Sequence, residues 1–434
     1  MTEERIAQVS GREILDSRGR PTVEAAVVLH GGVTARASVP SGASTGRHEA
    51  VERRDGDPGR YGGAGVRDVA DAIATEISPA VAGLAAGDQA GIDRALINLD
   101  GTPDKSRLGA NATLAVSLAV ARAAARARGV ELWRHLGSSA DPLLPLPMVN
   151  MISGGLHAGR GLDFQDFLII PVAANSVDGA METCVVVRDA LQRRLADRGL
   201  STLKADEGGF GPRLESHEEA LALIVAAVEA AGLTPGEDVA LALDVAASHF
   251  YDPHRAEYTL AAEGRRLDAA GMLDVLEDLV ARYPIVSIED PLAEDDWDGW
   301  RLATERLGRR VQLIGDDLFV TNPHRLRRGI GEGVANAVLV KMNQIGTLTE
   351  TLEVVERARA AGYATVASAR SGETEDDALA DLAIGFRAGQ IKVGSVAQSE
   401  RLAKYNRLTL VERELGHRAR FAGRDAIAAG APAR

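Results

Sequence analysis

The 434-residue chain carries 49 basic and 62 acidic residues, a formal net charge of −13, which argues against a nucleic-acid-binding surface. With 45% hydrophobic and 26% charged residues it can bury a sizeable core, so disorder is excluded as its main state. The sole cysteine, Cys184, cannot form an internal disulfide and fits a reducing compartment; no apolar signal core opens the chain and no stretch nears the ~20 apolar residues of a membrane span, so a cytoplasmic protein without a membrane partner is expected.

In chain order, the β-branched run from Thr22 to Leu29 predicts a strand, and His30-Gly31-Gly32 breaks Val27 to Val39 as a hairpin does. Helices are predicted over Val66 to Ser78, halted by Pro79, and over the Ala-rich run Asn111 to Arg128, stopped by Gly129. The segment Leu136 to Pro142, with Pro145 and Pro147 just after it, marks a boundary. A smaller α+β capping domain is therefore expected over 1–140 and a catalytic domain over 141–434.

The second part alternates short apolar runs with long helical stretches such as Glu218 to Ala231, Leu267 to Ala281 and Leu348 to Ala361, which implies a parallel sheet. Six of the apolar runs end in a charged residue: Asp244, Glu289, Asp316, Lys341, Arg370 and Lys392. A (β/α) barrel explains this pattern, because its strands deliver their carboxyl ends to one shared catalytic face.

Asp244, Glu289 and Asp316 would bring three hard oxygen ligands together with no His or Cys among them, a set that suits Mg²⁺. Lysine is scarce here, with five among the 49 basic residues, and Lys341 stands on the strand after Asp316. Unlike arginine, a buried lysine can be tuned to give up its proton. Beside a bound cation, Lys341 is expected to fall below its ordinary value and act as a general base next to a carboxylate.

The strings at 12–19 (REILDSRG), 39–46 (VPSGASTG), 206–210 (DEGGF), 288–291 (IEDP), 338–346 (VLVKMNQIG), 370–376 (RSGETED), 390–392 (QIK) and 399–406 (SERLAKYN) resemble those of the enolase family almost from end to end. The resemblance implies an α/β fold with an enolase-type (β/α)8 barrel behind its capping domain, Mg²⁺ dependence and assembly into a homodimer or higher homo-oligomer. It implies that Lys341 removes the C2 proton of a 2-phosphoglycerate-like acid and that Glu207 assists departure of the C3 hydroxyl. Asp244, Glu289 and Asp316 match metal ligands. Ser44 matches a residue that folds over the substrate and binds a second Mg²⁺ completed by that substrate. His157, Asp166, Arg370, Ser371 and Lys392 match substrate-side positions, His157 on a closing loop.

Four positions depart from the family pattern. Ala369 stands where a histidine is usual, Asp166 where a glutamate is, Ser153 where an asparagine is and Gln398 where an arginine is. All four side chains are smaller, while the base and the metal ligands are intact. In this the chain resembles the carboxyphosphonoenolpyruvate synthases of phosphinate antibiotic biosynthesis, enolase relatives that draw on a nucleotide-activated phosphonoformate. The expected partner is thus a phosphorylated or phosphonylated small acid. Ordinary phosphoenolpyruvate formation and a catalytically silent enolase-derived binding protein are the alternatives.

Overall fold

The computed structural model describes residues 4–137 and 142–428. The expected boundary at 140/141 lies outside the described residues. The chain opens with an antiparallel sheet of β1 (Ile6–Leu15), β2 (Pro21–Leu29) and β3 (Thr34–Ser38) in the order β1-β2-β3. Gly32, at φ 82°, makes the turn between β2 and β3, as the His-Gly-Gly break predicts. The helix Ala110–Ala127 packs across β2 and β3. It is buried on nearly all sides, and its alanines let the sheet approach closely. Pro79 does not halt the preceding helix. Arg67–Ala72 runs into a π turn, Ile73–Ile77, and on through Ser78–Val81. The wider turn accommodates the hydrogen bond that proline, having no amide hydrogen, cannot donate.

After β4 (Leu143–Leu144) come β5 (Leu146–Ser153), β6 (Asp166–Ile170) and β7 (Ala240–Asp244). An antiparallel excursion follows, formed by β8 (Tyr251–Asp252), β9 (Glu257–Leu260) and β10 (Arg265–Leu267). Then come β11 (Ile285–Glu289), β12 (Gln312–Gly315), β13 (Ala337–Val340), β14 (Ala364–Ser368) and β15 (Gln390–Gly394), and finally β16 (Arg420–Phe421), which pairs with β4. Eight strands close a barrel in the order β11-β12-β13-β14-β15-β5-β6-β7. The expectation of a parallel sheet holds except at β6, which runs antiparallel to both neighbours. A loop rather than a crossover helix joins β5 to β6, and only antiparallel strands can be joined that way.

Strand periodicity explains how the barrel builds its site. Leu146, Met148, Leu168, Ile170, Ala240, Ala242, Ile314, Ala337, Leu339 and Val366 fill the interior, and Ile427 packs against them. Side chains two apart share a face, so the same inward files continue upward into Asn150, Asp166, Asp244, Asp316, Lys341 and Arg370. The lower layers are a packed core and the top layer is charged, as in other barrels. Among the described residues, no helix is long and apolar enough to cross a membrane.

Candidate active site

The six predicted strand-end charges all gather at the carboxyl ends of the barrel strands, and all are buried. Lys392 Nζ bridges Asp244 Oδ2 at 2.8 Å and Glu289 Oε2 at 2.7 Å. Lys341 Nζ lies 2.5 Å from Asp316 Oδ2, whose other oxygen accepts from Gln344 Nε2 at 2.9 Å. Asp244 Oδ2 also accepts from Gln165 Nε2 at 3.1 Å. The three expected ligands thus sit on the adjacent strands β7, β11 and β12, with two lysines balancing their charge.

These residues fit a hard divalent cation. Glu289 Oε1 is buried without a hydrogen-bond partner. Burial pushes the Glu289 carboxyl well above the usual carboxylate range, and the charges of Asp244 and Asp316 add to the effect; a cation would relieve both costs. Among the described residues, two other groups, Asp290-Asp316-Asp317 and His157-Asp166-Glu207, bring their ligand atoms within 4.8 Å of one another. Asp290 is the brace of the first, because its two oxygens accept the backbone N–H groups of Asp316 and Asp317 at 3.0 and 2.7 Å. Changing Glu289 to Gln removes a full charge and should weaken Mg²⁺ by at least the ~10- to 100-fold that loss of even a supporting group costs. Calorimetric titration checks this, and unchanged affinity would remove Glu289 from the ligand set.

Without a cation, the carboxylates beside Lys341 govern its ammonium. Burial pulls Lys341 down, but Asp316 and then Glu289 outweigh both burial and the repulsion from Arg370 and Lys392, so the ammonium is held above its ordinary value. The contact with Asp316 is the reason. A cation compensating that carboxylate would weaken its hold on the ammonium.

Asp166, expected on the substrate side, makes its contacts with protein groups. Its carboxylate is fully buried and occupied by protein: Oδ1 accepts from Asn150 Nδ2 and, at 2.8 Å, from Ser153 Oγ, and Oδ2 lies 2.9 Å from His157 Nδ1. Two of the four departures, Ser153 and Asp166, therefore touch each other. Through the last of these contacts Asp166 orients His157, much as a carboxylate orients an imidazole elsewhere. His157 Nε2 has no hydrogen-bond partner and lies 3.8 Å from Glu207 Oε1.

Burial opposes the imidazolium, but Asp166 and Glu207 raise His157 to about 9. Burial raises Glu207, yet His157, Arg401, Lys392 and Lys341 bring it below its usual range. These charges favour a proton on His157 over one on Glu207.

Arg370 and Ser371 sit under the Gly-rich loop that carries Ser44. All four terminal N–H groups of Arg370 are engaged: Nη1 by Glu49 Oε2 and Asn343 Oδ1, both at 3.0 Å, and Nη2 by Glu49 Oε1 at 3.1 Å and the Ser44 carbonyl at 2.7 Å. Gly42 is required here, since a Cβ at that position would stand 2.1 Å from Arg370 Nη2. Ser371 Oγ accepts from the Ala43 amide at 2.6 Å and from Arg18 Nη1 at 3.3 Å. The loop is thus docked on the two residues expected to hold a substrate anion.

Sequence reasoning missed Glu49, Asn150 and Asp290, although Asp290 stands in the IEDP string. It also missed Arg401, which is fully buried and donates to the carbonyls of Arg370 at 2.6 Å, Ser371 at 2.7 Å, Val393 at 3.0 Å and Asp206 at 3.2 Å. Ala369, where the imidazole is absent, is buried with its amide on the Lys392 carbonyl at 2.9 Å. Gln398, the remaining departure, leaves Oε1 buried without a partner.

The chain matches two family models, the enolase N-terminal domain over residues 6–136 and the enolase C-terminal TIM barrel domain over residues 141–429. Together with a closed eight-stranded barrel and acidic groups able to hold Mg²⁺, these matches make it an enolase-type enzyme: the chain belongs to the enolase family.

Proposed function

We propose that this enzyme performs proton abstraction and elimination on a 2-phosphoglycerate-like acid bulkier or differently charged than 2-phosphoglycerate itself, as a carboxyphosphonoenolpyruvate synthase of phosphinate or phosphonate antibiotic biosynthesis does. One observation carries the reading. Asp166 is withdrawn onto Ser153, Asn150 and His157, and Ala369 offers only a methyl group, while Lys341, Glu207 and the three carboxylates remain in place.

The barrel order sets β13 opposite β6 in the ring of eight. Lys341 at the end of β13 is therefore placed to take the proton next to the substrate carboxylate from one side. The His157–Glu207 pair, anchored through Asp166 on β6, holds a proton for the departing hydroxyl on the other. Mg²⁺ held by Asp244, Glu289 and Asp316 would stabilise the negative charge that develops on the substrate carboxylate. Arg370, Ser371 and Lys392 would bind the substrate anions, and Ser44 would close over them with a second Mg²⁺. The family resemblance supports a homodimer.

Restoring the missing imidazole tests the specialised substrate. Ala369→His should raise kcat/KM for phosphoenolpyruvate formation from 2-phosphoglycerate, a ratio that reports transition-state stabilisation. One regained hydrogen bond to a charged group is worth ~1.5–3 kcal/mol, roughly a tenfold gain or more. A wild type already as fast as an ordinary enolase, with no gain on replacement, would leave simple phosphoenolpyruvate formation as the function.

A further inference from the structure

The loop that carries His157 presents an unused cation beside the catalytic centre. Arg160 follows His157 by three residues, with its backbone in the left-handed region at φ 61° and its side chain exposed. Across from it stands His249, half-buried in the turn Ala247–Phe250 that follows β7. The two line one cleft of about 30 Å³, walled by Leu156 and Phe250. Among the described residues, neither side chain has a hydrogen-bond or ion-pair partner.

Asp163 also lines the cleft, but its carboxylate is spent on the backbone amides of Ala261 and Ala262 at 2.9 and 3.1 Å. No ion pair joins Arg160 to that carboxylate, so the donors of its guanidinium stay free. Burial holds the His249 imidazole below its ordinary value, and the charges acting on it are those of Asp244, His157, Arg160 and Asp316, so the cleft adjoins the reaction site. A planar guanidinium with free donors, sharing with an imidazole a cleft walled in part by apolar side chains, is suited to phosphonyl, phosphoryl or carboxylate groups. The cleft has room for one or two water molecules, enough for an anionic head group whose remainder projects to solvent past the exposed Arg160.

We propose that Arg160 and His249 form an anion subsite beside the catalytic centre, which holds the phosphonyl- or carboxylate-bearing part of a second substrate. The subsite rests on the reading above, that the pocket serves more than 2-phosphoglycerate.

The test is calorimetric titration of phosphonoformate into the Mg²⁺-loaded enzyme, with and without saturating 2-phosphoglycerate, for the wild type, Arg160→Gln and His249→Gln. Phosphonoformate should bind the wild type even when 2-phosphoglycerate is present. Each replacement should weaken that binding at least tenfold more than it weakens 2-phosphoglycerate. Exclusion of phosphonoformate by 2-phosphoglycerate, or binding that neither replacement alters, would overturn the subsite. A wild type that binds no phosphonoformate would likewise overturn it, whereas phosphoenolpyruvate formation from 2-phosphoglycerate at an ordinary enolase rate would instead overturn the proposed function.

Discussion

Replacing Lys341 with alanine should lower turnover about 10²- to 10⁴-fold, the usual contribution of a positioned general base, while leaving the fold and Mg²⁺ binding in place. The structure separates these effects. Lys341 is bound to Asp316 through its ammonium alone, so its loss deletes the base and also removes a positive charge that competes for a proposed metal ligand. Mg²⁺ affinity should therefore hold or rise. Circular dichroism and calorimetry establish the intact fold and metal site, and single-turnover kinetics give the loss of rate. Near-native turnover in this variant would mean that another group takes the proton.

The second large effect is on stability. Arg401 is fully buried, and its guanidinium ties together backbone carbonyls from the segments that carry Glu207, Arg370 with Ser371, and Lys392. Arg401→Met keeps much of the volume and removes every donor, leaving four buried carbonyls to find new partners. Hydrogen bonds to a charged group contribute ~1.5–3 kcal/mol each but do not add when they share one side chain, so a net loss of about 3–5 kcal/mol is expected. Thermal unfolding of the two proteins side by side checks it. A midpoint unchanged within error would show that the carbonyls find other partners and that the guanidinium is dispensable.

Much of the site was legible because a strand has a period of two and a barrel has one catalytic end. Asp244, Glu289, Asp316, Lys341, Arg370 and Lys392 could be found as charges closing apolar runs, and all six are buried at the top of the barrel. Pairings across the fold were not legible. Asp166 reads in sequence as a shortened substrate-side carboxylate, and nothing there announces its contacts with Asn150, Ser153 and His157. The ammonium of Lys341 is expected to fall beside a cation, and nothing in the sequence shows that Asp316 is the carboxylate it touches. Arg401 and Glu49 lie far in sequence from the groups they hold, so no local pattern announces them. Pro79 was misread because a π turn lets the helix pass through it, and β6 because periodicity carries no strand direction.

The central claim is that Lys341-based proton abstraction survives in a pocket no longer shaped for 2-phosphoglycerate. Proton NMR of 2-phosphoglycerate in deuterated buffer with Mg²⁺ and the wild-type enzyme follows C2 exchange and phosphoenolpyruvate formation in one sample. The account predicts that the C2 proton exchanges with solvent faster than phosphoenolpyruvate appears, because the base is intact while the surroundings of the leaving group are altered. No exchange at saturating Mg²⁺ and 2-phosphoglycerate, or exchange that never outpaces phosphoenolpyruvate formation at an ordinary enolase rate, would contradict it.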